Sequence, residues 1–334
     1  MTKKGNYTKK RKTHKKGIRN YTRTHTRTHT HTLKASCSPK QKEKQTGFSC
    51  YTKDDIRYLR NLWNKHLSGG NNDPKYIQSN QPHQIYNQLS QHLAPQCGNN
   101  EKESCWLRQP FVSSKVSKQI REYAFSPMAP KEWKKNPNEW LSSLDIIRVM
   151  DQYQKAYKCF EFIGPTPIDF DKVLGRQNCV WNDLCNFRLS DKMNKGIKKI
   201  GIIFNTDPHD KPGQHWISMF IKLNGGKGNS NSKNNGKGEI FFFDSVGEPA
   251  PPEIMVLVER IKKQGEELNP PIHFTFDQNH PVEHQYGNTE CGIYSLFFIV
   301  HMLEDKITKH YLKTHILKDK YMQNFRKIYF NDDL

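Results

Sequence analysis

A strongly apolar segment runs from Cys291 to Leu303, and polar, turn-forming residues lie directly before it at 286–290. Its large side chains recur at helical spacing, at Ile293, Leu296, Phe297, Val300 and Leu303. Such a stripe is typical of a helix that is buried against other apolar elements. The chain is therefore expected to fold around this helix, with Cys291 in its first turn.

Short apolar runs upstream are typical of buried strands, and they lie at 199–205, 215–221, 239–244 and 272–276. One helix is predicted to begin at about residue 137. A second is predicted over 251–268, with prolines in its first turn. Residues 224–238 are rich in Gly, Asn, Ser and Lys and predict a surface insertion. The order predicts an α+β domain over 136–334, with a central mixed sheet flanked by helices.

Residues 46–135 predict a smaller helical arm. Thr52 and Asp55 have the spacing of a capping box, and apolar residues follow on one helical face. A second helix is predicted over 82–93. Nothing in this region indicates chemistry, so we expect it to be structural or to position a substrate.

Residues 1–45 form a low-complexity basic tail. They hold 15 Lys and Arg against one acid, Glu43, and so contribute +14 of the formal net charge of +20. Little in this segment can be buried, which predicts a disordered arm. A cationic arm is attracted to polyphosphate, so nucleic acid is a possible partner of the tail.

The eight cysteines are scattered and include no C-x-x-C pair. This favours a reduced, intracellular protein with free thiols over a disulfide framework, and no ligand spacing supports a zinc site. No stretch approaches the roughly 20 apolar residues of a membrane span, and the N-terminus lacks the apolar region of a secretory signal. We therefore expect no membrane partner, no secretion, no metal and no cofactor.

Cys291 is the candidate nucleophile. A thiol in the first turn of a helix is favoured as the thiolate, the reactive form. A buried structural cysteine is the alternative, but the polar loop before it, including Glu290, is expected near the surface. Gly292 would leave room for a substrate carbonyl.

A nucleophilic cysteine needs a base and a group that orients it. His215 stands at the start of a predicted strand, and Asp244 ends an aromatic one. If these strands are neighbours, Asp244 can reach His215. Taken singly, a histidine at a strand edge such as His215 is more often structural, and Asp244 is more often a turn-initiating residue.

Acyl transfer also requires hydrogen-bond donors for the oxyanion. Gln285 lies six residues before Cys291 on the same loop, and its amide could be one donor. The alternative is an ordinary exposed glutamine.

His215-Trp216, Asp244 after an aromatic strand, and Gln285-x5-Cys291-Gly292 together resemble the cysteine proteases related to the SUMO and ubiquitin-like-protein proteases and to the adenoviral endopeptidase. The resemblance implies a papain-like, adenain-like core. It also implies that Cys291 is the nucleophile, His215 the base, Asp244 its orienter and Gln285 an oxyanion donor. Trp216 would cover a narrow cleft that accepts Gly-Gly before the scissile bond.

Within this group the chain is most similar to the thiol proteases of large cytoplasmic DNA viruses, such as the African swine fever virus type. That similarity implies maturation of capsid or core polyproteins, and a location in the virion and the viral factory of the host cytoplasm. Two alternatives stay open. One is a deconjugating isopeptidase for a SUMO-like or ubiquitin-like modifier, and the other is a nucleic-acid-binding structural protein with an inactive protease fold.

Overall fold

A computed structural model of the chain describes residues 37–40, 44–97, 103–175, 178–223 and 236–331. Its five-stranded sheet has the order β1-β2-β3-β4-β5, with strands Phe160–Pro167, Lys199–Asn205, Trp216–Leu223, Lys237–Phe243 and His273–Gln278. The outer pairs, β1 with β2 and β4 with β5, are parallel, and the inner pairs are antiparallel. The predicted mixed sheet of an α+β domain is confirmed.

Helices form the N-terminal region and cover both faces of the sheet. In chain order they are α1 (Lys53–His66), α2 (Pro82–Cys97), α3 (Ser114–Ala124), α4 (Ser143–Ala156), α5 (Asn182–Cys185), α6 (Leu189–Asn194), α7 (Pro252–Glu266), α8 (Cys291–Leu303), α9 (Lys309–Thr314) and α10 (Asp319–Tyr329). The helix predicted from about 137 begins later, at Ser143, because Ser142 and Asp145 form a capping box that starts it there.

Each face of the sheet packs against its own hydrophobic cluster. On β3, Phe220 joins the cluster of α4, α8 and α10, while its neighbours Met219 and Ile221 join the cluster of α7. This alternation is the expected consequence of the two-residue period of a strand. Because both faces are covered, the strands read as nearly continuous apolar runs in the sequence.

The predicted helix over Cys291–Leu303 is confirmed as α8. All of its residues except His301 are buried, and the helix lies against β3. An apolar helix enclosed on all sides gives its N-terminus a fixed place beside the sheet. This position determines where the Cys291 side chain can lie.

The N-terminal region packs as a separate cluster built from α1, α2, α3 and the 3-10 turn Glu103–Arg108. The capping box of Thr52 and Asp55 is confirmed, and the predicted second helix extends to Cys97. The region contacts the C-terminal domain where Gln152 Nε2 donates to the Phe125 carbonyl at 2.9 Å. The limits predicted from the sequence for the two domains, 46–135 and 136–334, stay a prediction.

The expectation of free thiols is wrong for six of the eight cysteines, which form the disulfides Cys37–Cys50, Cys97–Cys105 and Cys179–Cys185. The fold brings together partners 13, 8 and 6 positions apart, spacings that carry no recognisable pairing signal in the sequence. Only Cys159 and Cys291 are free. The argument for a reducing compartment rested on thiols, so it loses that support.

Two predictions fall outside the described residues. Most of the predicted disordered tail does so, because 1–36 and 41–43 are not described. The insertion predicted at 224–238 lies between β3 and β4, and its residues 224–235 are likewise outside the described ranges. Among the described residues, no helix is long and apolar enough to cross a membrane.

Candidate active site

Cys291 is the first residue of α8, where the helix dipole favours a negative charge. The residue is only 2% exposed and belongs to the cluster that packs α8 on the sheet. Its side chain lies close enough to His215 to raise the pKa of that imidazole, and the His215 side chain is 20% exposed. The imidazole is thus the more accessible partner, and the thiol is buried beside it.

His215 and Asp244 meet at one end of the sheet. His215 directly precedes β3 and Asp244 directly follows β4, and the antiparallel register pairs Ser218 with Phe243 next to them. His215 Nε2 lies 2.7 Å from Asp244 Oδ1. The condition set by the sequence, that the two strands be neighbours, is met.

The environment of His215 favours its protonated form. Burial lowers the pKa of the imidazole, but hydrogen bonds with the side chains of Asp244 and Cys291, and their negative charges, outweigh burial. The net effect raises the pKa of His215 from 6.5 to about 9. An imidazolium held in this way stabilises a thiolate at Cys291.

Asp244 is held by contacts that the sequence did not suggest. Its Oδ1 also accepts the Val246 N–H at 3.0 Å. Asn279, which is fully buried, accepts the Asp244 N–H at 2.9 Å and donates to the Asp244 carbonyl at 2.7 Å. The carboxylate therefore has little freedom to turn away from His215. No sequence signal marks Asn279, because it lies 35 positions away from Asp244 and only the fold brings the two together.

Gln285 is 3% exposed and not an ordinary surface glutamine. Its Oε1 accepts the Ser245 hydroxyl at 2.8 Å, and its Nε2 donates to the Gly287 carbonyl at 2.9 Å. The amide therefore has a defined orientation on the loop that leads to Cys291. One of its two N–H groups is used by Gly287, which leaves the other for a ligand.

Trp216 lies beside Gly292, but the space at Gly292 is not open to a substrate as the sequence interpretation expects. A Cβ added at Gly292 would lie 3.0 Å from Leu141 Cβ and 3.2 Å from Trp216 Cδ1. The missing side chain thus makes room for Leu141 and Trp216, where a substrate carbonyl had been expected. Trp216 is 7% exposed, and its indole N–H donates to the Leu141 carbonyl at 3.0 Å. Its role as the cover of a cleft stays a prediction.

The expectation that Glu290 lies near the surface is wrong, because its side chain is only 2% exposed. Its carboxylate pairs with Arg326 of α10, whose Nε lies 3.0 Å from Oε2 and 3.2 Å from Oε1. Arg326 also donates to the main-chain carbonyls of Glu139 and Thr289, at 2.8 and 3.1 Å. A buried carboxylate is tolerated when it is paired in this way, and its partner lies 36 residues away in the sequence.

No group of three His, Cys, Asp or Glu side chains that could hold a metal ion is found in the part of the chain that the structure describes. The described site consists of a thiol, an imidazole, a carboxylate and a carboxamide. These are the groups required for nucleophilic attack by sulfur, for proton transfer and for oxyanion stabilisation.

The C-terminal part of the chain matches a known family, the Ulp1 protease family, C-terminal catalytic domain, over residues 148–334. A protein of Acanthamoeba polyphaga mimivirus that is named as a thiol protease is 26% identical over 312 residues, which cover 89% of this chain and 93% of that protein. A protein of African swine fever virus that is named as a SUMO-1 cysteine protease is 25% identical over 241 residues, 68% of this chain and 81% of the relative. A crystal structure of the African swine fever virus protease has a TM-score of 0.55 at 20% identity, covering 80% of this chain and 94% of that chain. This likeness confirms the protease fold.

Proposed function

The chain belongs to the Ulp1 protease family and is a cysteine peptidase, and from that premise we propose that Cys291, His215 and Asp244 carry out its hydrolysis. The observation that carries this proposal is that His215 interacts with both other groups: its Nε2 lies 2.7 Å from Asp244 Oδ1, and Asp244 and Cys291 both raise its pKa. Because Nε2 is occupied by Asp244, Nδ1 is the ring nitrogen left to exchange a proton with the thiol.

Before substrate binds, the Cys291 proton has passed to His215; in the first half of the reaction, the thiolate attacks the carbonyl carbon of the scissile peptide bond. A C–S bond forms, and the carbonyl π electrons move to oxygen. The Gln285 Nε2–H and the backbone N–H of Cys291 donate to that oxyanion. The intermediate collapses, the C–N bond breaks, and His215 protonates the leaving amine.

In the second half, His215 takes a proton from water, and the resulting hydroxide attacks the thioester carbonyl. Collapse of this intermediate breaks the C–S bond, releases the carboxylic acid product and leaves the Cys291 thiolate beside protonated His215. The Asp244 carboxylate stabilises the protonated imidazole in each half.

The proposed substrate carries Gly-Gly before the cleaved bond. Support comes from Trp216, a bulky side chain that directly follows His215 and lies beside the first turn of α8. A cleft bounded by such side chains favours residues without side chains. Because both relatives are viral proteins, we assign the enzyme to maturation of capsid or core polyproteins in the virion and the viral factory. The basic tail, residues 1–45, would hold it on packaged nucleic acid.

A deconjugating isopeptidase is the second candidate, because the name of the African swine fever virus relative specifies SUMO-1. Both candidates use the same catalytic groups, so they differ in what they recognise outside the scissile bond. A deconjugase needs a folded modifier, whereas a maturation protease needs an extended Gly-Gly peptide.

The test uses one cleavage sequence in two contexts. The full-length enzyme is incubated with a SUMO fusion protein and with a peptide of the same residues around the Gly-Gly site, and mass spectrometry locates the cuts. Comparable kcat/KM values for the two substrates support the maturation protease. An increase of about 100-fold or more with the folded modifier supports the deconjugase, since it corresponds to about 3 kcal/mol of docking. If neither substrate is cut after Gly-Gly, the proposed specificity is wrong.

A further inference from the structure

Ser245 connects two of the residues proposed to act in catalysis, Asp244 and Gln285. It follows Asp244 in the chain, and its hydroxyl donates to Gln285 Oε1 at 2.8 Å. Both Ser245 and Gln285 are nearly inaccessible, with exposures of 1% and 3%. Buried polar groups are satisfied by hydrogen bonds within the protein, so this hydroxyl–carboxamide contact determines the orientation of the amide.

The main chain of Ser245 supports the same loop. Its carbonyl accepts the N–H groups of His284 and Gln285, each at 2.8 Å. Two consecutive residues therefore contact two different groups of the proposed site. Asp244 contacts the base, His215, and Ser245 holds the proposed oxyanion donor, Gln285.

Orientation matters because the two ends of a carboxamide have opposite hydrogen-bonding character. With Oε1 directed to Ser245, Nε2 points the other way and donates to the Gly287 carbonyl at 2.9 Å. A half-turn of the amide would instead direct a carbonyl oxygen at the developing oxyanion, which is repulsive.

We propose that Ser245 is a positioning residue, which fixes the Gln285 carboxamide so that Nε2 faces the substrate oxyanion. The inference rests on the proposed role of Gln285 as an oxyanion donor. The serine hydroxyl is not the sole anchor of the turn after β4. Asn279 holds the Asp244 N–H and carbonyl, at 2.9 and 2.7 Å, without help from the serine side chain.

The test measures two reactions of Cys291 in each variant of the full-length protein. Hydrolysis of a Gly-Gly peptide amide passes through an oxyanion, whereas alkylation by iodoacetamide occurs at a saturated carbon and does not. Ser245→Ala is expected to lower kcat on the order of ten-fold, less than the roughly 100-fold or greater loss from removing an oxyanion donor. KM and the alkylation rate should stay within about two-fold of wild type.

Controls separate positioning from general damage. Ser218→Ala removes another fully buried hydroxyl beside the same strand end, one that donates to the Phe243 carbonyl at 3.4 Å, and should leave kcat unchanged. Ser245→Thr retains the hydroxyl and should restore most of kcat. Ser245→Gly is assayed as well, so that a folded variant without the hydroxyl is available if alanine does not fold.

The double variant Ser245→Ala/Gln285→Ala gives the decisive comparison. If Ser245 acts only through Gln285, the double variant has the same kcat as Gln285→Ala alone. A further loss in the double variant, an equal loss of alkylation, or an unchanged kcat in Ser245→Ala each overturns the inference while leaving the proposed function in place. A full kcat in Gln285→Ala overturns the oxyanion role itself, and the inference with it.

Discussion

Asp244 Oδ1 lies 2.7 Å from His215 Nε2, although 29 positions separate the two residues. They meet because His215 precedes β3 and Asp244 follows β4 at the same end of an antiparallel pair. The contact holds the imidazole by its Nε2 atom. Its charge is one reason for the raised pKa of His215, and it therefore predicts how activity depends on pH.

The first prediction concerns the basic limb of the pH profile. Because the pKa of His215 is raised to about 9, the imidazole keeps its proton up to that pH and loses it above. The thiolate–imidazolium pair is then lost, so kcat/KM should fall above about pH 9. Asp244→Asn removes the stabilising charge and should move this limb towards lower pH, with a loss on the order of ten-fold at pH 8.

The control for that experiment is Asp169→Asn. Asp169 Oδ2 contacts His209 Nδ1 at the same distance of 2.7 Å, outside the proposed catalytic groups. The basic limb of the pH profile of Asp169→Asn should coincide with that of the wild type. If the basic limb of Asp244→Asn were also identical to that of the wild type, Asp244 would not set the pKa of His215.

The second prediction concerns the buried ion pair beside the nucleophile. Arg326→Ala leaves the Glu290 charge buried without its partner, and should lower the free energy of unfolding by about 3–5 kcal/mol. Arg260→Ala breaks a more exposed pair with Asp171 and should cost about 1 kcal/mol or less. Urea denaturation measures both values, and equal losses in the two variants would contradict the importance given to burial at Glu290.

The third prediction concerns the basic tail. The deletion should end at residue 36, because Cys37 is bonded to Cys50 and Ser38 donates its N–H to the Ala124 carbonyl at 3.1 Å. Removal of residues 1–36, which hold 12 Lys and Arg and no acid, should weaken DNA binding and flatten its salt dependence. Hydrolysis of a short peptide should be unchanged. Equal DNA affinity in the truncated protein would assign the binding to another surface.

The fourth prediction concerns the thiol count. With three disulfides, the protein denatured without a reductant should present two reactive thiols, Cys159 and Cys291. After reduction it should present all eight. A titration with a thiol reagent under both conditions measures this difference. Eight thiols without reductant would restore the interpretation drawn from the sequence.

Elements with a strong periodic pattern could be predicted from the sequence. The helix over Cys291–Leu303 and the strand over Lys199–Asn205 were located to the residue, because each is an uninterrupted apolar run. The strand Phe160–Pro167 was missed, since Gly164 and two prolines interrupt it. Those residues are tolerated because β1 is an edge strand and pairs only with β2.

The site was predictable in its residue types, but the contacts that hold it were not. Glu290 looked exposed because it stands in a polar loop, and only the distant Arg326 explains its burial. Gly292 looked like room for substrate, whereas the fold places Leu141 there. In both cases the deciding partner is remote in the sequence, so no local pattern could reveal it.

The most direct test of the central claim compares the two free cysteines. Peptide hydrolysis is measured for Cys291→Ala and, as the matched control, for Cys159→Ala, with melting temperatures to confirm that both fold. We predict that Cys291→Ala abolishes turnover, while Cys159→Ala retains the wild-type rate. Turnover that persists in folded Cys291→Ala would contradict the assignment of Cys291 as the nucleophile.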